Sequence, residues 1–256
     1  MGKFEPNTYA IITGASSGIG REIAQELAKK QLNLILVARR RDRLEALKKK
    51  LETEYSIKVI VKDVDLSVME NCVRLHAETI DYQPIIVINN AGFGQIGPFD
   101  EGSLVKEQAM IAVNISAVHL LTRLFVDTLS EGIILNVSSM AGFLPTPLMA
   151  TYAASKAFVV NFSRAIDFEM RREKRRIRVL SLCPGPVKTE FGLVAHGRET
   201  GRGIDASRAA KIAVRGIEKE KALIIPGIQM KVVHFFLRLL PTRWILTFAY
   251  RLQKNK

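Results

Sequence analysis

Three side chains of the kinds that reduce carbonyl groups lie near one another in the sequence: Ser139, Tyr152 and Lys156. If the segment after Leu148 is helical, the tyrosine and the lysine share one face, with their Cβ atoms about 5–6 Å apart. The phenol can then donate a proton to an oxygen, the ammonium can stabilise the phenolate, and the serine hydroxyl can hold the oxygen. The pattern predicts interconversion of a carbonyl compound and an alcohol.

The electrostatic effect of Lys156 on Tyr152 has the right size for this chemistry. A free phenol has a pKa of about 10, whereas a useful acid or base has a pKa of about 7, a gap of about 4 kcal/mol. An ammonium about 4 Å away supplies on the order of 4 kcal/mol at an effective dielectric of about 20, and a positive nicotinamide ring would add to it. We expect a lowered pKa for Tyr152. An isolated pair of this spacing is also typical of an ordinary amphipathic helix, so the surrounding motifs decide.

A glycine-rich turn near the start of the chain indicates a nucleotide site. Residues 9–13 form a short apolar strand, Gly14, Gly18 and Gly20 follow it, and a helix is predicted over 21–30. The glycines allow a tight turn, close approach of a pyrophosphate and close helix packing, with phosphates at the positive end of the helix. The spacing is GxxxGxG rather than GxGxxG, and such a turn can also be purely structural.

The rest of the pattern predicts one α/β domain. The chain has 256 residues, of which 48% are hydrophobic, and its apolar strands alternate with helices. Further strands are predicted at 32–38, 59–64, 85–89, 132–138, 177–182 and 222–225, and long helices at 104–129 and 150–172. We expect the domain to cover residues 1–227 and a basic, apolar, helical extension to cover 228–256.

Several motifs together resemble those of a classical short-chain dehydrogenase/reductase, from about Asn7 to Gly227. The matching segments are Thr13-Gly14 to Gly20, Asn89-Asn90-Ala91-Gly92, Asn114, Ser139, Tyr152, Lys156, Pro184-Gly185 and Thr189. The resemblance implies a single-domain Rossmann-type fold, in which a doubly wound parallel sheet lies between two layers of helices. It also implies a nicotinamide cofactor.

The resemblance gives each catalytic residue a role. Tyr152 would be the acid or base, Ser139 would bind the substrate oxygen, Lys156 would also bind the nicotinamide ribose, and Asn114 would hold a water in a proton relay. An unsatisfied amide on the apolar helix of Asn114 costs about 1–3 kcal/mol, and a structural role in kinking that helix is the alternative. Ser139 ends a strand at the carboxyl edge of the sheet, whereas Ser138 is expected to point away.

Cofactor choice is expected to depend on Arg39, because a ribose 2′-phosphate favours arginine where an NAD enzyme commonly has an acidic residue. A charge-assisted bond of about 1.5–3 kcal/mol gives a preference of roughly ten- to a hundredfold, so we expect NADP(H) over NAD(H). Ser16 is a second contact, while Arg40 and Arg41 are interpreted as a solvated helix start. The cofactor residues implied by the resemblance are Gly14, Ser16, Ser17, Gly18, Ile19, Gly20, Arg39, Asp65, Leu66, Asn90, Ala91, Gly92, Tyr152, Lys156, Pro184, Gly185, Val187 and Thr189. Asp63 is the rival of Asp65 for the adenine contact.

Composition limits the other classes of function. Cys72 and Cys183 fit neither a disulfide framework nor a metal site and are expected to be buried, and the four histidines are scattered, so no metal is predicted. No secretory leader precedes the pattern, which favours a cytoplasmic protein. The net charge is +13. Basic runs at helix ends are typically solvated or attract phosphate-bearing ligands, and without a nucleic-acid module we expect no nucleic-acid binding.

Residues 228–256 contain six lysines or arginines, no acidic residue and many large apolar side chains. No uninterrupted apolar run there reaches the ~18 residues of a transmembrane span. The pattern suits a helix in a membrane interface, where each basic group contributes about 1 kcal/mol near an anionic surface. The alternative is that these apolar residues cover the active site or contact another subunit.

Substrate choice is expected to depend on residues 186–205, which the resemblance makes a mobile lid. That segment contains Phe191, Leu193, His196, Arg198 and Arg202. Its apolar half suggests a fatty-acyl or steroid-like carbonyl compound, and its arginines would tolerate an acidic or thioester-linked carrier. The other apolar residues assigned to the substrate are Phe93, Phe143, Leu144 and Met149.

The sequence therefore predicts an NADP(H)-dependent oxidoreductase that moves a hydride between cofactor and carbonyl carbon while Tyr152 moves the proton. A non-catalytic NADPH-binding sensor and a membrane-surface scaffold are the alternatives. A complete set of Asn114, Ser139, Tyr152 and Lys156 disfavours the sensor. The resemblance also implies a homodimer or homotetramer, because the two long helices usually pair across a twofold axis in this family.

Overall fold

A computed structural model describes residues 4–196, 203–237 and 239–254. The strands are β1 (Tyr9–Thr13), β2 (Asn33–Ala38), β3 (Val59–Asp63), β4 (Ile86–Asn89), β5 (Glu131–Val137), β6 (Arg176–Leu182), β7 (Val187–Lys188), β8 (Ile204–Asp205) and β9 (Leu223–Ile224). Seven of them form one parallel sheet in the order β3-β2-β1-β4-β5-β6-β9, and β7 pairs with β8 separately.

Helices cover both faces of the sheet. They are α1 (Gly18–Ala28), α2 (Arg41–Tyr55), α3 (Met69–Ala77), α4 (Leu104–Ile111), α5 (Val118–Thr128), α6 (Ala150–Arg172), α7 (Phe191–His196), α8 (Ala206–Glu218), α9 (Ile228–Leu237) and α10 (Thr242–Lys254). A π-helical segment, Ala112–Ala117, joins α4 to α5, and short 3₁₀ helices lie at Ile80–Tyr82, Phe99–Glu101 and Met140–Phe143.

The strands are apolar on both faces because both faces are buried. Ile12 packs in one core cluster with side chains of α1, α2 and α8, whereas its neighbour Ile11 packs in the other with Phe125 of α5 and Met170 of α6. Successive residues of a strand point to opposite faces, so one strand supplies both cores. The three-layer, doubly wound fold predicted from the sequence is confirmed.

The strand order reverses at β1, and this point creates a crevice. The chain runs outward from β1 through β2 to β3, then returns to place β4 on the other side of β1. The connections after β1 and β4 therefore diverge, and ligands of open parallel sheets bind at the carboxyl ends of such strands. The predicted glycine turn follows β1 and the predicted segment Asn89 to Gly92 follows β4.

The structure differs from the prediction at the helix expected over 104–129. The chain there forms α4, the π-helical segment and α5, with buried Asn114 inside the π-helical turn. A π turn adds a residue to the helical repeat, and such turns often occur at functional sites. The helix predicted over 150–172 is confirmed as α6, whereas the two-residue strands β7 and β8 were not predicted.

A buried ion pair fixes α6 against the sheet. The Asp167 carboxylate accepts hydrogen bonds from Arg178 Nε of β6 at 2.8 Å and from the backbone N–H of Val179 at 3.2 Å. Asp167 is fully buried, so its charge depends on these partners. Lys156 and Tyr152 lie on the same helix, about three and four turns nearer its start. The ion pair between Asp167 and Arg178 therefore helps to hold their helix against β6.

The C-terminal helices bury few of their side chains, and no described residue of α9 is fully buried. Helix α9 begins beside the end of β6, where Met230 contacts Gly185, and His234 lies against Phe143 with ring centroids 4.1 Å apart. In α10 only Ile245 and Ala249 are buried. Among the described residues, one region, Leu104–Thr128, is long and apolar enough to cross a membrane, and 44% of its most apolar stretch is buried within the domain. Helices α9 and α10 are shorter, with 10 and 13 residues.

Candidate active site

The glycine turn packs tightly against the segment that follows β4. Gly14 has a φ of +66°, a conformation that favours glycine, and a Cβ at Gly20 would lie 2.5 Å from the carbonyl oxygen of Gly14. The Asn90 side-chain amide donates to the carbonyl of Thr13 at 2.9 Å and to that of Gly14 at 3.3 Å. Asn90, predicted to bind the cofactor, therefore shapes the turn directly.

Thr13 links the chain segment that follows β1 to the segment that follows β4. This residue was given no role of its own from the sequence. Its hydroxyl accepts the backbone N–H groups of Asn90 at 2.9 Å and Ala91 at 3.0 Å, and it donates to the Ile88 carbonyl at 3.2 Å. A hydroxyl residue at the end of a buried strand was the signal that could have revealed it. These bonds fix where the crevice begins.

Tyr152 and Lys156 lie together, as their spacing predicts. Both are buried, and Lys156 Nζ lies 5.8 Å from the centroid of the Tyr152 ring. The ammonium donates a hydrogen bond to the carbonyl oxygen of Val137, the last residue of β5, at 3.0 Å. The lysine therefore stands between the end of the strand and the phenol ring.

The expected lowering of the Tyr152 pKa is wrong for the nucleotide-free protein. Burial raises the pKa of Tyr152 to about 12, and a hydrogen bond with Ser139 offsets only part of that rise. Burial also lowers the pKa of Lys156 to about 8. The sequence estimate counted the attraction between the two groups but not the loss of water around both of them, which disfavours each charged form.

Ser139 and Ser138 point in different directions, as expected. Ser139 precedes the 3₁₀ helix Met140–Phe143, where its hydroxyl accepts the N–H of Ala141 at 3.1 Å and hydrogen-bonds Tyr152. Ser138 is buried and donates to the backbone carbonyl of Lys156 at 2.7 Å. Of the two hydroxyl groups, only that of Ser139 meets the phenol.

Asn114 reaches the same place from the π-helical segment. Its Nδ2 donates to the Phe93 carbonyl at 2.9 Å and to Ser155 Oγ at 3.1 Å, and its Oδ1 accepts the Phe93 N–H at 3.2 Å. A Cβ at Gly92 would lie 2.9 Å from Asn114 Oδ1 and 3.3 Å from Lys156 Nζ, so the three residues meet. These contacts show a structural role for the amide, and the proton-relay role stays a prediction.

Arg40, rather than Arg39, makes the contacts expected of the arginine beside the glycine turn. Arg40 Nη2 donates to Ser16 Oγ at 2.9 Å and to Ser17 Oγ at 2.7 Å, whereas Arg39 lies near Asp65; both arginines are exposed. Arg40 is exposed at the start of α2, as the sequence suggests, but it also binds the two serines, which was not predicted. The contact of Arg39 with the cofactor stays a prediction. Arg41 pairs with Asp63 at 3.2 Å at the surface.

The candidate adenine residues lie just beyond β3. The Asp65 carboxylate accepts the backbone N–H and the hydroxyl of Ser67 at 2.9 and 2.8 Å, and these bonds, the backbone one first, lower its pKa. Leu66 is buried. Asp63 ends β3 and its carboxylate is engaged by Arg41, so Asp65 and Leu66 keep their place ahead of Asp63 as the proposed pair.

The opposite wall of the crevice is the chain that follows β6. Pro184 accepts the N–H of Met140 at 2.9 Å, and Val187 lies in β7. Thr189 Cγ2 would be 3.2 Å from a Cβ at Gly18, which places this segment against the glycine turn. The remaining predicted residues of that turn, Ser17 and Ile19, begin α1.

Apolar side chains surround Tyr152, but only some of the apolar residues that were assigned to the substrate from the sequence are among them. Met149 and Met110 are buried against Tyr152, and Phe93, Ile96 and Phe191 pack on them. Phe143 and Leu144 were expected there and are not. They line a separate apolar cavity of about 560 Å³ on another side of α6, bounded by Leu246 of α10. Arg198 and Arg202 lie outside the described residues, as does the side chain of His196.

The residues fit a dinucleotide better than a metal. The tight glycine turn, Arg40 with its three partners, and Ser139 with the buried phenol follow β1, β2 and β5, so all of them lie at the carboxyl edge of the sheet. In the described part of the chain, no three His, Cys, Asp or Glu residues lie close enough to hold a metal ion. Cys72 and Cys183 are both buried, which raises each thiol pKa to about 11.

Known proteins share both the sequence pattern and the fold. Among curated proteins, the chain is 36% identical to a very-long-chain 3-oxoacyl-CoA reductase of Kluyveromyces lactis over 174 residues, which are 63% of this chain and 50% of that one. It is 34% identical to the protein of that name from Anas platyrhynchos over 195 residues, 73% of this chain and 62% of the relative. The chain thus spans about half to three-fifths of the length of these relatives.

Solved structures match over nearly the whole chain. A short-chain dehydrogenase from Sphingobium yanoikuyae in complex with NADPH has a TM-score of 0.82 and 29% identity, covering 91% of this chain and 92% of its own. A bulky-bulky ketone specific alcohol dehydrogenase from Comamonas testosteroni has a TM-score of 0.77 and 28% identity, with 88% of each chain covered. The sequence profile of the short chain dehydrogenase family matches residues 8–199. The chain belongs to the short-chain dehydrogenase family, a family of oxidoreductases.

Proposed function

We propose that the protein is an NADP(H)-dependent oxidoreductase that reduces the carbonyl group of a long apolar substrate to an alcohol. The observation that supports this most is the position of Tyr152, a buried phenol that meets Ser139 at the end of the nucleotide crevice and faces an apolar wall. A phenol in that place can give a proton to an oxygen that Ser139 holds.

The protonation states suit reduction. With a pKa of about 12, Tyr152 keeps its proton throughout the neutral range, so it can donate to a carbonyl oxygen that gains negative charge. A protonated Lys156 beside it stabilises the phenolate that remains. The reverse reaction needs the phenolate at the start, which burial disfavours in the nucleotide-free protein. When bound, the cofactor supplies the hydride.

The preference for NADP(H) rests on Arg40. Its guanidinium is oriented by Ser16 and Ser17, where a ribose 2′-phosphate would gain three donors within reach. The related structure from Sphingobium yanoikuyae is in complex with NADPH, which agrees with this assignment. The other proposed cofactor contacts are those assigned from the sequence, with Arg40 in the place given to Arg39.

The proposed substrate is a 3-oxoacyl thioester with a long acyl chain. Apolar side chains from three parts of the fold, including Phe93, Met149 and Phe191, surround the phenol, and such a wall binds an acyl chain by burying its surface. The relatives from Kluyveromyces lactis and Anas platyrhynchos carry the name very-long-chain 3-oxoacyl-CoA reductase. A steroid-like ketone is the second candidate, since the same wall fits a rigid apolar ring system.

The first prediction tests the role of Tyr152. Replacing Tyr152 by Phe removes the proton donor and keeps the ring, so kcat for reduction of a long-chain 3-oxoacyl-CoA should fall by about 10²- to 10⁴-fold. The dissociation constant of NADPH should stay within about threefold of the wild-type value, because the hydroxyl is a small part of the binding surface. The measurements are NADPH absorbance during turnover and a fluorescence titration.

A matched control and a contrary result make this test decisive. Thr146→Val removes a buried hydroxyl that bonds only to the Leu144 carbonyl, on the other side of α6, and should leave kcat nearly unchanged. A Tyr152→Phe protein that keeps most of its rate would rule out the proposed acid. Wild-type protein that binds NADPH without consuming it in the presence of any ketone would favour the non-catalytic sensor.

The second prediction compares the contributions of Arg40 and Arg39 to NADPH binding. Arg40→Ala should weaken NADPH binding about ten- to a hundredfold and leave NADH binding unchanged, because one charge-assisted contact contributes about 1.5–3 kcal/mol. Arg39→Ala, the matched control, should change NADPH binding by less than about threefold, since Arg39 is near Asp65, while Arg40 binds Ser16 and Ser17 of the glycine turn. The measurement is the ratio of the two dissociation constants, and a larger effect for Arg39→Ala would contradict the assignment.

We further propose that the C-terminal helices place the enzyme on a membrane surface. In α10, Trp244 and Phe248 are each 66% exposed, and in α9 Phe235 is 61% exposed. Lys231 and Arg251 lie among them and no acidic residue occurs after 227. Apolar side chains with interspersed basic groups suit the interface of an anionic bilayer. The protein would then be cytoplasmic and peripheral to the membrane.

The third prediction tests that surface. Trp244 is the only tryptophan, so its emission should shift to the blue when vesicles containing anionic phosphatidylserine are added, and less with neutral phosphatidylcholine. Phe235→Ser with Phe248→Ser keeps Trp244 and should reduce vesicle flotation at least about tenfold. Equal flotation of the variant and the wild type would exclude this surface, and would favour the view that the helices cover other protein.

A homodimer or homotetramer stays a prediction from the family resemblance. Phe168 on the outer face of α6 is 63% exposed, and Leu104 and Val105 at the start of α4 are 67% and 77% exposed. Exposed apolar residues on the helices that were predicted to pair support a subunit contact there.

A further inference from the structure

One short segment crosses the crevice from the cofactor end to the catalytic end. Thr189 lies against Gly18 of the glycine turn, and its Oγ1 accepts the N–H of Phe191 at 3.2 Å. The Phe191 ring packs on Tyr152 with centroids 5.3 Å apart and would contact a Cβ at Gly94. Glu190 lies between Thr189 and Phe191 in the chain. A change in the contacts of Glu190 can therefore affect both the glycine turn and the surroundings of Tyr152.

Glu190 binds the arginine that the proposed cofactor needs. Its Oε2 lies 2.9 Å from Arg40 Nη1 and its Oε1 lies 2.6 Å from Arg43 Nη1. The hydrogen bonds from Arg40 and then Arg43 lower the pKa of Glu190, so the carboxylate is charged at neutral pH. Two guanidinium groups around one anion are typical of a phosphate site, here occupied by a residue of the same chain.

The Glu190 carboxylate uses a donor of Arg40 that the proposed 2′-phosphate would also need. The Arg40 guanidinium uses Nη2 for Ser16 and Ser17 and presents Nη1 to Glu190. A phosphate held by the same arginine and serines would need the space and the donors that Glu190 uses. The carboxylate and the phosphate are therefore alternatives for one site.

We propose that Glu190 is an internal competitor for the 2′-phosphate site, and that a nucleotide with a 2′-phosphate displaces it from Arg40 and Arg43 and so frees the segment 189–191. This inference rests on the proposed preference for NADP(H). A nucleotide without the 2′-phosphate leaves the ion pairs in place. Glu190 thus sets how strongly the protein discriminates between the two cofactors and couples that choice to the segment over Tyr152.

The ion pair between Glu190 and Arg40, which we call the latch, is weak enough for a phosphate to displace it. The Arg40 and Glu190 side chains are 42% and 41% exposed, and the pair is therefore screened by water. An exposed pair of this kind shifts a competing equilibrium by only about two- to fivefold. A phosphate carries more charge than a carboxylate and offers three acceptor oxygens, so it displaces the carboxylate.

The test measures binding of adenosine 2′,5′-bisphosphate and of AMP to the full chain by calorimetry. Glu190→Gln keeps the shape and removes the charge, so the bisphosphate should bind about two- to fivefold more tightly while AMP binds as it does to the wild type. Glu131→Gln is the matched control, because Glu131 is a similarly exposed carboxylate that pairs with Arg176 and lies at the opposite end of β5 from the candidate site. It should leave both affinities nearly unchanged.

Hydrogen exchange distinguishes displacement of Glu190 from simple repulsion between its carboxylate and the phosphate, because repulsion alone would not change the exchange rates of the free protein. Amides of 189–196 should exchange faster in free Glu190→Gln than in the free wild type, and the bisphosphate should speed their exchange in the wild type but not further in the variant. AMP should have no such effect.

The outcomes separate the latch from the cofactor preference. Unchanged or weaker bisphosphate binding by Glu190→Gln, or equal exchange in the two free proteins, overturns the latch while the preference for NADP(H) stands. A wild type that binds AMP as tightly as the bisphosphate overturns both. Tighter binding together with faster exchange supports the latch. A Glu131→Gln effect as large as that of Glu190→Gln would show that a general change of charge, not displacement, is responsible.

Discussion

The site depends on one interaction: an ammonium and a phenol are buried side by side at the end of a parallel strand. Lys156 is held by the Val137 carbonyl at 3.0 Å and lies 5.8 Å from the centre of the Tyr152 ring. Burial makes each charged form costly, which raises the pKa of the phenol and lowers that of the lysine. The protein thus stores a proton on Tyr152, where a carbonyl oxygen can take it.

The fold creates this arrangement by bringing the ends of neighbouring strands together. Thr13 and Asn90 tie the connection after β1 to the one after β4, and Gly92 brings that connection close to both Asn114 and Lys156. A larger residue at Gly92 would separate them. The proposed phosphate site at Arg40 follows β2, so the groups proposed for binding and for chemistry share one edge of the sheet.

The sequence predicted most of this fold, because buried parallel strands are continuous apolar runs and each predicted strand of the sheet lies within one or two residues of its observed position. It missed the π-helical turn at Asn114, because a single added residue hardly changes an apolar pattern. It did not predict the bonds of Arg40 to Ser16 and Ser17, because the direction of a side chain just beyond a strand depends on the backbone of the turn. Glu190 and Arg40 are 150 residues apart, so no local sequence pattern predicts that they pair. The pKa of Tyr152 needed the burial of both groups, which spacing alone does not give.

The most direct test of the account is the pKa of Tyr152 itself, measured by NMR on protein with ¹³C-labelled tyrosine rings, with the Tyr152 signal identified by its absence from Tyr152→Phe. Because burial keeps the phenol protonated, this signal should stay that of a neutral phenol beyond a pH of about 10 in the nucleotide-free protein, consistent with a pKa of about 12. Addition of NADP⁺, whose nicotinamide ring is positive, should lower the value. A Tyr152 that already ionises near neutral pH without nucleotide would contradict the account.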